Sequence, residues 1–121
     1  MKTILLVEDD PFLIDIYKNK LNAAGFEIDV AEDGELALKK IKEKKPDLMV
    51  LDIVLPGIDG WELLEKIKTE MQLKDLKVLI LSNLSQKDEV EKGMELGATK
   101  YLIKAHYTPS EVVAEIKQLL K

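Results

Sequence analysis

The chain has 121 residues, 46% hydrophobic and 34% charged, with a net charge of −5. That is globular composition for about one domain with a single sizeable core. The acidic balance argues against a sequence-independent grip on nucleic acid, which needs a basic stripe, and no RRM, zinc-finger or helix-turn-helix pattern occurs. The absence of cysteine removes disulfides, thiolate metal sites and cysteine nucleophiles, and fits a reducing compartment.

Met1-Lys2-Thr3 leads straight into Ile4–Val7, an apolar run far too short for a signal or membrane segment. A cytoplasmic setting without membrane contact is therefore expected. Four further runs follow: Phe26–Ala31, Leu48–Leu51, Val78–Leu81 and Tyr101–Ile103. All except Phe26–Ala31 lack polar alternation, the pattern of strands covered on both faces of a parallel sheet. Phe26–Ala31 alternates through Glu27 and Asp29, which predicts an edge strand. Helical stripes lie between the runs: Leu13, Ile16, Tyr17, Leu21 and Ala24; Leu64, Ile67 and Met71; Val112, Val113, Ile116, Leu119 and Leu120.

Punctuation agrees with that division. Asp10-Pro11 reads as N-cap followed by first-turn proline, and Gly25 as the stop after the first helix. Thr108-Pro109-Ser110-Glu111 matches a capping box, and Ser85-Gln86-Lys87-Asp88 is a weaker version. Five strand–helix repeats predict an α/β domain, a (βα)5 doubly wound parallel sheet with right-handed crossovers. Residues 1–121 are expected to form one domain, with no output domain in this chain.

In open α/β sheets, ligands bind beyond the carboxyl ends of the strands. Glu8, Asp9 and Asp10 follow the first strand, Asp52 the third, Ser82 and Asn83 the fourth, and Lys104 the fifth. Ala31-Glu32-Asp33-Gly34 after the second reads as a loop leading into a cap. Glu8, Asp9 and Asp52 against Lys104 leave two negative charges uncompensated in a partly enclosed space. Carboxylates so placed must raise a pKa or bind a cation, and an all-oxygen set selects a hard divalent ion such as Mg²⁺. A carboxylate can also be the nucleophile in phosphoryl transfer, with metal, lysine and hydroxyl neutralising the transferred group. Singly, each element reads otherwise, as a solvated loop acid, a surface lysine or a turn serine. Their joint placement favours the chemical reading.

The series ILLVEDDP, LMVLDIVLPGIDGWELL, VLILS and GATKYLIKA resembles the receiver domain of two-component response regulators, the chemotaxis-type regulator being the plainest member. The resemblance covers essentially the whole chain. It implies a flavodoxin-like fold with strand order 2-1-3-4-5. It implies that Asp52 accepts phosphate from a sensor histidine kinase, a phosphotransfer protein or a small-molecule phosphodonor. Glu8 and Asp9 are implied to bind Mg²⁺ together with Asp52 and the Val54 backbone carbonyl. Ser82 takes the place of the switch hydroxyl, Lys104 that of the phosphate-contacting lysine and Tyr101 that of the aromatic switch residue, with packing as the competing role for Tyr101. On this reading the protein is a signalling switch that catalyses only its own phosphorylation and dephosphorylation. The signal leaves through the surface of the fourth helix, fifth strand and fifth helix to a downstream protein, with no direct nucleic-acid contact.

Other residues carry smaller expectations. Pro56-Gly57 reads as a turn, Asp59 as the third helix's cap, Gly60 as a close-packing position, and Trp61 as a first-turn packing residue. His106 reads as a loop residue and the lysines of 39–45 as a solvated helix face. Three departures from the family pattern stand out. Ala105 follows Lys104 where proline, often cis, is usual; a non-proline cis bond costs roughly 2.5–4 kcal/mol, so this peptide is trans or strained. Asn83 stands where a small residue is common, which narrows access to the site. Val54 and Leu84 are apolar at positions that influence water access to the phosphoryl group, which predicts slow self-dephosphorylation.

Two other classes share parts of the pattern. A flavodoxin-like FMN protein needs a Ser/Thr/Gly-rich loop after the first strand, where this chain is acidic. A haloacid-dehalogenase-like phosphatase needs a second aspartate two residues past the nucleophile, where Val54 stands. A receiver that binds partners without phosphorylation fits poorly with a complete set of Glu8, Asp9, Asp52, Ser82 and Lys104.

Overall fold

Each apolar run becomes a strand: the four without polar breaks are short enough to bury both faces inside a parallel sheet, and Phe26–Ala31, which alternates, forms an edge. The computed structural model describes residues 1–121. In chain order they form β1 (Thr3–Val7), α1 (Pro11–Ala23), β2 (Glu27–Ala31), α2 (Gly34–Glu43), β3 (Leu48–Leu51) and α3 (Gly60–Lys68). Then come β4 (Lys77–Ser82), α4 (Lys87–Glu95), β5 (Lys100–Ile103), a single 3-10 turn at Lys104–His106, and α5 (Pro109–Leu119). All neighbouring strands are parallel, in the order β2-β1-β3-β4-β5. This is the flavodoxin-like (βα)5 fold expected.

Successive side chains on a strand point to opposite faces, and the strands divide their apolar residues accordingly. Ile4, Leu6, Leu48, Val50, Leu79, Leu81 and Leu102 pack with Tyr17 and Leu21 of α1 and Val112, Val113 and Ile116 of α5. Leu5, Val7, Met49, Leu51, Val78 and Ile80 pack with Ala37 and Ile41 of α2 and Leu63, Leu64 and Ile67 of α3. Each fully buried aliphatic contributes about 1.5–3 kcal/mol relative to exposure. No helix is long and apolar enough to cross a membrane.

The caps fix where helices begin. The Asp10 carboxylate accepts from the Phe12 N–H at 2.9 Å, Asp33 from the Leu36 N–H at 2.8 Å, and Asp59 from the Glu62 N–H at 3.0 Å. Thr108 and Glu111 close a full capping box, at 2.8 and 3.2 Å. Such caps are worth about 1 kcal/mol each. Gly25 follows the α1 C-cap Ala24 at φ 93, a left-handed conformation that favours glycine.

Three local expectations shift. The α4 box sits one residue later than Ser85–Asp88: Gln86 is the N-cap, and its N–H donates to Glu89 at 3.0 Å. Glutamate reaches back to the cap better than the shorter aspartate, which selects Glu89 over Asp88. Met71 lies beyond α3, not on its stripe. The Thr69 hydroxyl bonds the Glu65 carbonyl at 2.7 Å, and Gln72 turns to φ 56. A side chain competing for helix carbonyls weakens the last turn, and the left-handed residue ends it. Finally β5, read as covered on both faces, is the second edge of the sheet, and Tyr101 and Ile103 remain only half-buried.

Candidate functional site

The direction in which successive strands are added reverses between β1 and β3: β2 lies to one side of β1, and β3, β4 and β5 lie to the other. A crevice opens beyond the strand ends at such a switch point. Val7 and Leu51 are register partners, so the residues after them, Glu8 and Asp52, leave neighbouring strands at the same level. The Asp52 N–H extends the ladder to the Val7 carbonyl at 3.0 Å. Across the crevice Ser82 pairs with Ile103, which sets Lys104 one residue beyond the end of β5.

The Lys104 ammonium donates to Glu8 Oε1 at 2.6 Å and to Asp52 Oδ2 at 2.9 Å. The three side chains are only 13%, 4% and 9% exposed. The other Glu8 oxygen accepts the N–H groups of Asp9 and Asp10, both at 3.2 Å. The other Asp52 oxygen accepts the Val54 N–H at 3.3 Å. Burial pushes the Glu8 carboxyl up against the pull of Lys104, and the neighbouring Asp52 charge adds to the rise. Burial works against the Lys104 charge as well, but the hydrogen bonds to Glu8 and Asp52 outweigh it and hold the ammonium above its ordinary pKa.

One carboxylate oxygen each from Glu8, Asp9 and Asp52 gathers within 4.8 Å of the others. Three hard oxygen donors beside one ammonium fit a small divalent cation and offer nothing to a soft one. Asp10 stays outside this group as a helix cap, so the acids of the EDD run divide their work.

Ser82 is fully buried, and its hydroxyl oxygen accepts the Leu84 N–H at 3.2 Å. The Tyr101 hydroxyl donates to the Leu84 carbonyl at 2.6 Å. Serine and tyrosine thus hold the same loop residue, one at its N–H and the other at its carbonyl. Gly93 of α4 makes room for the tyrosine ring: a Cβ there would stand 2.7 Å from Ile80 Cδ1 and 3.0 Å from Tyr101 Cδ2. Gly60 has the tight role expected, since a Cβ would meet Ile53 Cα at 2.5 Å and the Asp52 carbonyl at 2.8 Å. Trp61 lies in the first turn of α3 with the Lys92 ammonium 4.8 Å above its ring. His106 is exposed at the end of the 3-10 turn.

Two contributors were not legible beforehand. Tyr17 read only as an α1 stripe residue, yet its phenol, raised by burial, also feels the charges of Lys104 and Glu8. Asn83 read as an obstacle to access, but its Oδ1 accepts the Ala105 N–H at 3.1 Å. No peptide bond is cis, so Lys104–Ala105 takes the trans alternative. A separate concavity of about 260 Å³ lies between β2 and α2, lined by Thr3, Glu27, Asp29 and Lys40. Its Lys40–Asp29 pair is already satisfied, and nothing there resembles a reacting set.

The model for the response regulator receiver domain matches residues 4–117. The chain is 35% identical over 120 residues to the alkaline phosphatase synthesis transcriptional regulatory protein PhoP of Bacillus subtilis, covering 99% of this chain and 49% of that one. It is also 35% identical to the phosphate regulon transcriptional regulatory protein PhoB of Pseudomonas aeruginosa, covering 99% and 52%. The chain therefore spans about half the length of these curated relatives. Among solved structures, a two-component response regulator from Clostridium difficile superposes with a TM-score of 0.91 at 28% identity, covering 99% of this chain and 96% of that one. A CheY-like receiver domain protein from Methanospirillum hungatei gives a TM-score of 0.91 at 29% identity, covering 99% and 94%. Neither the FMN-protein nor the dehalogenase-like alternative accounts for a match along nearly the whole chain. It belongs to the response regulator receiver domain family, the phosphoacceptor modules of two-component signalling.

Proposed function

We propose that Asp52 is the residue that takes the phosphoryl group, with Glu8, Asp9 and the Val54 carbonyl completing a Mg²⁺ site around it. The observation that carries this is the pairing of Asp52 with Lys104 in a buried crevice where three carboxylates outnumber one cation. Bound Mg²⁺ supplies neutralisation of the phosphoryl oxygens. An Asp52 oxygen attacks phosphorus, the P–N bond of a donor phosphohistidine breaks, and its electron pair stays on the imidazole. Lys104 then exchanges part of its carboxylate contact for a phosphoryl oxygen, and the Ser82 hydroxyl donates to another. Charge neutralisation and positioning are most of what phosphoryl transfer asks of a protein.

Phosphorylation replaces about one negative charge on Asp52 by about two and adds acceptor oxygens. Drawing Ser82 toward them releases the Leu84 N–H, and Leu84 is also the residue that holds the Tyr101 hydroxyl. The surface of α4, β5 and α5 is the element so biased. Its readout is a downstream protein, and the donor is a histidine kinase, a phosphotransfer protein or a small phosphodonor. The chain catalyses only its own phosphorylation and dephosphorylation in a cytoplasmic setting.

Incubation with MgCl₂ and acetyl phosphate, read by intact mass, tests the assignment. The wild type gains one phosphoryl group and Asp52→Asn gains none. An adduct that survives in Asp52→Asn refutes Asp52, and no adduct on either protein points to a receiver that binds partners without phosphorylation.

A further inference from the structure

We propose that Asn83 is a positioning residue for Lys104, acting through its hydrogen bond to the backbone of Ala105. The proposal rests on the reading of Asp52 and Lys104 given above. The β4–β5 ladder ends at the pair Ser82 and Ile103. One residue further on, the backbone of β5 turns into the 3-10 segment Lys104–His106. The first N–H groups of such a segment have no partner within it. The Ala105 N–H finds one beside it, beyond the end of β4, in Asn83 Oδ1 at 3.1 Å.

That bond extends strand pairing by one step with a side chain where backbone pairing has ended. It joins the residue after Ser82 to the residue after Lys104, and so fixes the spacing of hydroxyl and ammonium over Asp52. Because a backbone N–H can only donate, the amide oxygen must face it, which settles the orientation of the Asn83 amide. Two features of this chain depend on each other here. A proline at 105 has no N–H, so Asn83 has a partner only because residue 105 is not proline. Both Asn83 and Ala105 are exposed, so water can replace the bond with little effect on folding. Geometry at the reacting atoms is far less forgiving than stability, since a displacement of about 1 Å costs on the order of a hundredfold in rate.

A double-mutant cycle with Asn83→Ala and Ala105→Pro tests the coupling. Phosphorylation by acetyl phosphate is followed over a range of donor concentrations, with thermal melting to show that each variant is folded. Asn83→Ala lowers the maximal rate roughly tenfold and leaves the donor concentration at half-saturation unchanged. In the Ala105→Pro background the same substitution has no further effect. The NMR signal of the Lys104 ammonium, recorded without Mg²⁺ or donor, broadens in Asn83→Ala. An equal rate loss in both backgrounds overturns the proposal, as does an unchanged rate with an unchanged ammonium signal. Should the wild type take up no phosphoryl group at all, the assignment of Asp52 fails separately. The ammonium signal alone then decides: a change on Asn83→Ala upholds positioning, and no change overturns it.

Discussion

Val54 stands beside Asp52 with an apolar side chain that is 62% exposed, and Leu84 lies half-buried on the other side of the crevice. Hydrolysis of an aspartyl phosphate needs a water aligned with the bond that breaks, and a side chain that can hydrogen-bond that water accelerates the step. Neither valine nor leucine can do so. The phosphorylated protein is therefore expected to persist well beyond seconds after the donor is removed, followed by intact mass. Val54→Asn shortens that lifetime roughly tenfold by supplying a polar group at the same place. A wild-type lifetime of only seconds refutes the idea. At this scale Lys104 is the least replaceable cation of the site. Its ammonium meets two carboxylates that do not adjoin in sequence, and removing it leaves two buried acids facing each other.

At the scale of elements, β3 is fastened to β1 by more than its ladder. Asp47, just before β3, accepts the Thr3 N–H at 2.7 Å and the Thr3 hydroxyl at 3.2 Å. The bond from the Thr3 backbone, and then that from its side chain, hold the Asp47 carboxyl below its ordinary value of 3.8. A carboxylate with a depressed folded pKa stabilises the fold in full above its unfolded pKa, and that contribution fades as pH falls through the folded one. Urea midpoints measured from about pH 5 down to about pH 3 therefore fall less in Asp47→Asn than in the wild type. Identical slopes refute the clamp. Strands and most caps were legible in the sequence because their causes are local. Asp10, Asp33, Asp59 and Thr108 each bond an N–H two or three residues away. The end of α3 was not legible. The Lys68 ammonium folds back onto the carbonyls of Lys74 and Leu76 at 3.0 and 2.6 Å, and burial lowers its pKa. A lysine in a helical pattern gives no sign of that use. The bond between Asn83 and Ala105 escaped for a related reason: only the β4–β5 register brings residues 22 positions apart together.

For the whole molecule, the sheet is what assembles the acids. Asp9 and Asp52 have no relation until β1 and β3 pair, so the unfolded chain offers no comparable cation site. Ligands that bind only the folded state stabilise it, by about 2.7 kcal/mol at a concentration of one hundred times Kd, several degrees in Tm for a domain of this size. Added MgCl₂ is expected to raise the melting temperature above that in NaCl of equal ionic strength. Asp9→Asn loses most of the difference. Equal melting in the two salts refutes the cation site. Ser82 ends β4, and Tyr101 and Lys104 lie on the edge strand β5 and in the turn after it. On the function proposed above, a charge added at Asp52 is therefore expected to reach the surface of α4 and β5 through the contacts of Leu84.

The glycine at position 93 gives α4 an unusual standing among the helices. It is the only buried residue of that helix, and glycine costs a helix interior about 1 kcal/mol relative to alanine. The other helices are held by side chains driven into the sheet, whereas α4 is seated on a ring by a missing one. Beyond that seat, its side chains reach the rest of the fold through half-buried Val90 and the Lys92 ammonium over the Trp61 ring. On the function proposed above, a rotation of the Tyr101 ring is therefore expected to carry all nine residues of α4 with it.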